Sequence, residues 1–364
     1  MRRGTTVAAL VAAAAVISAC ASGGAESQGA AGSAAPLTGD ACDPPRQEGV
    51  TLTFASYGGA YQDAQIRAWQ EPYTQLTGVQ FANDESSSNA EVRAQAESGQ
   101  VTWDVVDLGN DFGLDVHRDI LEPLDFGLIP RDEINPDLGL TDYRVPVITF
   151  GTVLGYNTEL TGGQTPAGWA DFFDLSKFPG KRGVWDYPVG GMFEIALMAD
   201  GVAPADLYPL DLERANAKLD ALTGEVVFWG SGAESRELIG SGEVAMSMIW
   251  NGRAWNAIHE DKRPVDIQWN QQIMSADYFV VPKGSPNRDA AMRFIAWTAC
   301  AENNAAISKY IPYGPTNVNA EPDPGLAEDL AVNHVDASTA YFDDVYLVDN
   351  FDEIDAAWQE WKAR

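Results

Sequence analysis

"VPVITFGTVLGYN", residues 145–157, is a β-branched and aromatic run interrupted only by Gly151 and Gly155. It is too long for one flat strand and suits a segment that leaves one sheet and enters another. A second extended run, "DYFVVPKG" at 277–284, returns in the same manner. Upstream, "VTLTFASYGG" (50–59) reads as a short strand broken by Gly58 and Gly59, followed by a helical stretch, 60–78, that Gly78 stops. "VQFAND" (79–84) is a second strand, and 88–99 a helix with Ser88 and Glu91 spaced as a capping box. "WDVVDLG" (103–109) is a buried strand.

Beyond a polar interval, 130–142, the alternation resumes. "RGVWDYP" (182–188), "EVVFWG" (225–230), "VAMSMIW" (244–250) and "VDIQW" (265–269) read as strands, with helices starting near Met192, Leu212, Ala233 and Arg253. A long helix covers Asn287 to Trp297, and "EIDAAWQEWKA" (353–363) is a C-terminal helix. Strands alternating with helices imply βαβ units and mostly parallel sheets. The expected architecture is α/β: two lobes, each a mostly parallel sheet flanked by helices, joined by extended hinge crossovers. The lobes would comprise 50–152 plus 277–320 and 153–276 plus 321–364. Ligands of open α/β sheets sit outside the carboxyl ends of the strands, so the loops after strands are where function is expected.

The charge balance is lopsided, with 53 acidic against 23 basic residues and a net charge of −30. Such a field repels nucleic acid and anionic lipid and attracts small cations. The N-terminus has the marks of an export signal: Arg2 and Arg3, then an apolar stretch from Val7 to Ile17 that is too short to span a bilayer, then "ISAC". Cys20 after Ala19 resembles a bacterial lipobox, which implies a signal over 1–20, lipidation of Cys20 and a flexible small-residue tether over 21–49. The remaining Cys42 and Cys300 favour a disulfide over two separate thiols in an oxidising compartment. Three scattered histidines and no cysteine cluster argue against a metal site, and no cofactor is implied.

One residue raises a specific question. Asp277 stands directly before the returning run, where an acid must bend into solvent or meet a positive partner. Five stretches carry a resemblance that offers an answer: "SYGGAYQDAQ" (56–65), "WADFFDLSKFPGKRG" (169–183), "GSGEVAMSMIWNGRA" (240–254), "SADYFVVPKGS" (275–285) and "IPYGPTN" (311–317). In this order they are similar to the extracellular solute-binding proteins of bacterial ABC importers, in the spermidine/putrescine-binding group. The resemblance runs from about Val50 to Asn319. It implies a periplasmic-binding-protein-like clamshell of type II that captures a small amine-bearing solute. The implied partners are permease subunits with a cytoplasmic ATPase. The chain itself has no phosphate-binding Gly-x-x-x-x-Gly-Lys-Ser/Thr stretch, and it is expected to work as a monomer.

Carried over by position, Asp277 matches the family's amine-gripping carboxylate and Trp250 its aromatic wall, with Tyr57 and Tyr313 further aromatics and Ser231 a weaker polar candidate. Polyamine binders of the group place a pair of acids after the second-lobe strand. Here "VWDYPVGGMFEI" (184–195) offers only Asp186, with Trp185 beside it on the expected rim. Arg253 adds a cation that would repel a polyamine and fit a carboxylate. With Asp277 it forms a constellation for a zwitterion such as γ-aminobutyrate; an ion pair to a local acid such as Asp261 is the alternative. Rival readings are a sugar or metal binder on the same scaffold, and an exported hydrolase. The hydrolase lacks a nucleophile elbow, since "GSGAES" (230–235) is not Gly-x-Ser-x-Gly.

Overall fold

The two long β-branched runs do cross the molecule, and they do so side by side. The computed structural model describes residues 37–364. The expected signal, Cys20 and the tether up to residue 36 lie outside the described residues. In chain order the elements are β1 (Thr51–Ala55), α1 (Gly59–Gln65), α2 (Glu71–Thr77), β2 (Gln80–Asp84), α3 (Asn89–Ser98), β3 (Val105–Leu108) and β4 (Val145–Asn157). Then come α4 (Trp169–Phe173), β5 (Arg182–Trp185), α5 (Met192–Ala199), α6 (Leu212–Leu219), β6 (Val226–Trp229), α7 (Gly232–Ser241) and β7 (Met246–Trp250). The chain ends with α8 (Asn251–Trp255), β8 (Val265–Val280), α9 (Arg288–Thr298), α10 (Ala301–Ala305), β9 (Ala340–Tyr341), α11 (Asp344–Asp349) and α12 (Phe351–Lys362). A π-helical turn over Ile66–Gln70 links α1 to α2.

The strand order is β2-β1-β3-β8-β4-β7-β5-β6, with β9 on β8. β1 pairs in parallel with β2 and β3, and β5 in parallel with β6 and β7. These two parallel sets are the sheets of two halves. Between them β4 and β8 run antiparallel to each other along nearly their whole lengths. One end of β8 pairs with β3, and the far end of β4 pairs with β7. Every residue of β4 is buried, because it sits mid-sheet with helices on both faces. That burial explains its unbroken apolar run.

The sequence reads "VDIQW" and "DYFVVPKG" as separate strands, whereas 265–269 and 277–280 belong to one strand, β8. The segment between them is polar, with Asn270, Gln271 and Gln272, and hides the continuity. Gln271 has φ 65°, and the β4–β8 register shifts between Thr152 and Leu154 beside it. A local irregularity of this kind bends a strand without ending it. Gly151 sits at the same level, where a Cβ would fall 2.6 Å from Gln272 Oε1. A side chain there would have to displace the buried Gln272, which accounts for the glycine inside an otherwise bulky run.

Ser88 caps α3 by accepting from the Glu91 amide at 3.4 Å; the Glu91 carboxylate instead accepts from Gln95 at 2.9 Å. Residues 37–49, read from sequence as the end of a tether, are fastened to the first half. The Leu37 amide donates to Asp125, Gln47 donates to the Tyr73 hydroxyl, and Cys42 forms a disulfide with Cys300. The bridge spans a sequence separation of 258. Replacing Cys300 by serine should lower unfolding free energy by about 2–4 kcal/mol in urea denaturation. Solute binding should be unchanged, because neither cysteine lines the cavity described below.

Candidate functional site

β1, β3, β5, β6 and β7 all end toward a single cavity of about 820 Å³ between the halves. The volume lies within the roughly 300–1,000 Å³ that small-molecule sites occupy. The loops after these strands deliver Tyr57, Tyr187, Gly230 and Ser231 to it; Trp185 and Trp250, at strand ends, line it too. The halves are bridged around it. Arg253 donates to the Gly58 carbonyl at 3.1 Å, and the Tyr187 hydroxyl donates to Asp111 in a short bond. Asn110 and Arg144 both donate to Asp344, at 2.9 and 2.6 Å. The molecule is therefore in a closed conformation.

Trp250 is the centre of an aromatic box. Its ring lies 5.1 Å from Trp185, 5.3 Å from Trp229, 6.0 Å from Tyr57 and 6.2 Å from Phe150, all edge to face. Tyr313 continues the wall at 5.7 Å from Phe150 and 5.3 Å from Tyr61. Contacts of this kind hold each ring in place, and the rings that line the cavity can meet a cation or a methylene chain. Trp250, Tyr57, Tyr313 and Trp185 thus line one cavity. Phe150 and Tyr61 line the cavity as well, and nothing in a buried run or a first helical turn of the sequence separates a cavity ring from a core ring.

Asp277, 6% exposed, lies at the floor of the box and lines the cavity. Among the described residues it has no salt bridge; Arg253 is the one cation whose charge bears on it. Burial first, and the charge of Asp107 second, push the Asp277 carboxyl well above the usual range, against the opposing pull of Tyr61 and Arg253. Asp107 on β3 is a second fully buried acid that sequence reading missed. It accepts from Gln65 at 2.5 Å and from Ser56 at 3.2 Å through one oxygen, while the other has no partner. Burial pushes Asp107 up to about 7. Its place inside "WDVVDLG" reads as core strand, and only the unusual presence of an acid in that strand could have flagged it.

Arg253 is 1% exposed and stands behind the box without lining the cavity. A Cβ on Gly232 would fall 2.5 Å from its Nε, so the bare backbone there lets the guanidinium approach α7. That Nε has no hydrogen-bond partner. Asp261 is not its partner either, since Asp261 binds Arg236 through two bonds of 2.6 Å. Ser231 lines the cavity and caps α7 by accepting from the Glu234 amide at 3.2 Å. Asp186 lines it as well, but accepts from Trp358 Nε1 at 3.3 Å and pairs closely with Lys362, so its charge is already matched. Among the described residues no group of three or more His, Cys, Asp or Glu side chains could hold a metal ion.

Comparison with known proteins agrees with this architecture. The family model described as bacterial extracellular solute-binding protein matches residues 68–334. A gamma-aminobutyric acid-binding protein of Pseudomonas aeruginosa (strain PAO1) is 32% identical over 332 residues, covering 86% of this chain and 91% of that one. A spermidine/putrescine-binding periplasmic protein of Escherichia coli (strain K12) is 26% identical over 202 residues, 54% of this chain and 57% of that one. The structure of the PBP AgtB from A. tumefaciens R10 in complex with agropinic acid superposes with a TM-score of 0.80 at 33% identity, covering 87% of this chain and all of that one. The two-lobed clamshell, the cleft between its halves and these relatives together establish that the chain belongs to the bacterial extracellular solute-binding proteins.

Proposed function

We propose that this protein is the capturing component of an ABC import system and that Asp277 receives the ammonium group of a small solute inside the aromatic box. The observation that supports the reading is a buried carboxylate facing a cavity with no salt bridge to any cation among the described residues. A bare buried charge is costly, and an ammonium ion from outside removes that cost. At about 4 Å the attraction is roughly 4 kcal/mol at an effective dielectric near 20, against about 1 kcal/mol in water, so closure of the halves strengthens the grip.

Trp250, Tyr57, Tyr313 and Trp185 present faces and edges around this point and suit an ammonium with its attached methylenes. The rest of the solute has room beyond the box. On one side of that space lie Ser86, Ser88 and Asn89; on the other lie Val189, Phe342 and Phe351. A single-ended amine such as an ω-amino acid fits the charge arrangement better than a polyamine. Asp186 is matched by Lys362, and Arg253 offsets one acid at the floor. The relative named for γ-aminobutyric acid aligns over most of its length, and the E. coli polyamine-binding relative over little more than half. Arg253 acts here through its charge and through its tie to Gly58, holding the closed state around the solute. Cys20 supplies the lipid anchor, and a membrane permease receives the cargo.

Thermal-shift and calorimetric titration with γ-aminobutyrate, putrescine, spermidine, betaine and sugars tests this. At least one amine should stabilise the protein, by RT ln(1 + [L]/Kd); a response to sugars alone would sink the proposal. For the amine that binds, Asp277→Asn should weaken affinity by about 100-fold or more, the equivalent of roughly 3 kcal/mol. Trp250→Leu keeps apolar bulk but removes the π face. It should cost roughly tenfold in affinity, read by the same titration.

A further inference from the structure

The floor of the box holds more unmatched polar atoms than the capture of one ammonium explains. Asp107 pairs with Phe279 in the β3–β8 register, and Asp277 lies two residues along the same strand. The two carboxylates are therefore diagonal neighbours on one face of the sheet, a spacing of roughly 7–8 Å between α-carbons. Asp107 is fully buried; its Oδ1 and the hydroxyl of Tyr61, 2% exposed, have no close hydrogen-bond partner, though the hydroxyl is near enough to pull on both acids. Arg253 Nε, the remaining polar atom of the group, is unpartnered too.

We propose that Asp107, which stands behind Asp277 without lining the cavity, shares a proton with it, and that a solute's ammonium enters as that proton leaves the Asp107–Asp277 pair. This rests on the reading of Asp277 as the amine receptor.

The argument is one of charge balance. Two buried acids and a single guanidinium carry a net negative charge if both acids ionise, which a low-dielectric floor opposes. With one proton retained by the pair, the empty floor is neutral. With both acids ionised and an ammonium present, it is neutral again. Capture of the cation thus expels one proton to solvent, and the local charge is the same before and after. No covalent bond changes, and the solvent or buffer takes the proton. The pair titrates as a unit, so the proton belongs to both acids.

The elevated position of both acids, Asp107 at about 7, agrees with a proton held near neutral pH. The groups that face the pair are Tyr57, Tyr61 and Tyr313, all pushed upward by burial and therefore neutral, together with Arg253 and the uncharged Ser56 and Gln65. Glu85, Arg93, Asp111, His117, Asp186 and Tyr187 are further titratable groups that line the cavity. His117 is pushed down to about 4 by burial and by Arg93 and Arg144, so it stays uncharged around neutrality. Asp111 is raised by burial and held by Tyr187 and Asn89.

Calorimetric titration with γ-aminobutyrate, and separately with putrescine, in buffers of different ionisation enthalpy counts the protons exchanged per solute. Both amines stay protonated below about pH 9, so any exchange comes from the protein. Near pH 6 about one proton should be released for each ammonium that reaches the floor, declining above roughly pH 8. Affinity should fall by up to about tenfold for each pH unit below about 7. Asp107→Asn keeps the shape and the acceptor oxygen; it should lower the proton count by about one and flatten the pH slope. Tight binding with no proton exchange in the unaltered protein overturns the inference and leaves Asp277 as amine receptor standing. An undiminished proton count in folded Asp107→Asn, checked by its unfolding transition, overturns it as well, because the proton then comes from elsewhere, such as Asp111. If neither amine binds at any pH, or if Asp277→Asn binds as well as the unaltered protein, the amine reading itself fails and this inference falls with it.

Discussion

A carboxylate that the chain buries at the cleft without a salt bridge is the constraint on which the proposed site depends. Asp277 occupies strand β8 where the sheet passes from one half to the other, so it cannot turn outward without breaking the strand. Its placement is fixed by register, with Ile148 of β4 opposite. Everything near it either lowers the local dielectric or supplies polarisable faces: aromatic rings from four separate strand ends and loops, and a guanidinium held back by the Gly58 carbonyl. Desolvating an acid costs folding free energy, and a solute that binds the closed form better than the open one shifts the balance toward closure.

The location of the cleft and the nature of its walls follow from that arrangement. Parallel strands on either side of the two crossovers point their carboxyl ends at the same space, so loops distant in sequence become neighbours there. The hydrogen bonds that link the halves use the same loops: Tyr187 follows β5, and Asp111 follows β3. Closure and capture therefore draw on overlapping sets of side chains. An exchange of contacts with solvent for contacts with solute can shift the balance between open and closed forms by no more than the difference in affinity between them.

Much of the fold was legible because the chain keeps its periods clean. The run 145–157, the Gly78 stop after the first helical stretch and the Ser88 cap appear where pattern and capping chemistry place them. β8 was harder to see, because three polar residues in its middle read as a loop and only the pairing with β4 holds them in a strand. The site divides in a similar way. Asp277 could be singled out as an acid where an acid is expensive, whereas Trp250 stood out only through the family resemblance, since a Trp at a strand end otherwise reads as core. Asp107 carries the same sign of expense, yet it sits inside "VVDL", where the flanking apolar residues drew attention to packing. Tyr61 and Phe150 carry no signal at all in one dimension, since a ring facing a cavity and a ring facing the core have the same neighbours in sequence. The matching of Asp186 by Lys362 joins residues 176 positions apart, and only the docked C-terminal helix α12 brings them together.

The hydrogen-bonded pairing of β4 with β8 has a mechanical consequence. Two separate linkers would let the jaws slide, splay and rotate independently. Linkers laced to each other along their length behave as one ribbon, stiff in its plane and compliant mainly in twist and bend at the shifted register beside Gln271. The jaws are then left with something close to a single angular coordinate. A receptor that touches both rims can read occupancy from that one angle, whatever the chemical identity of the cargo inside.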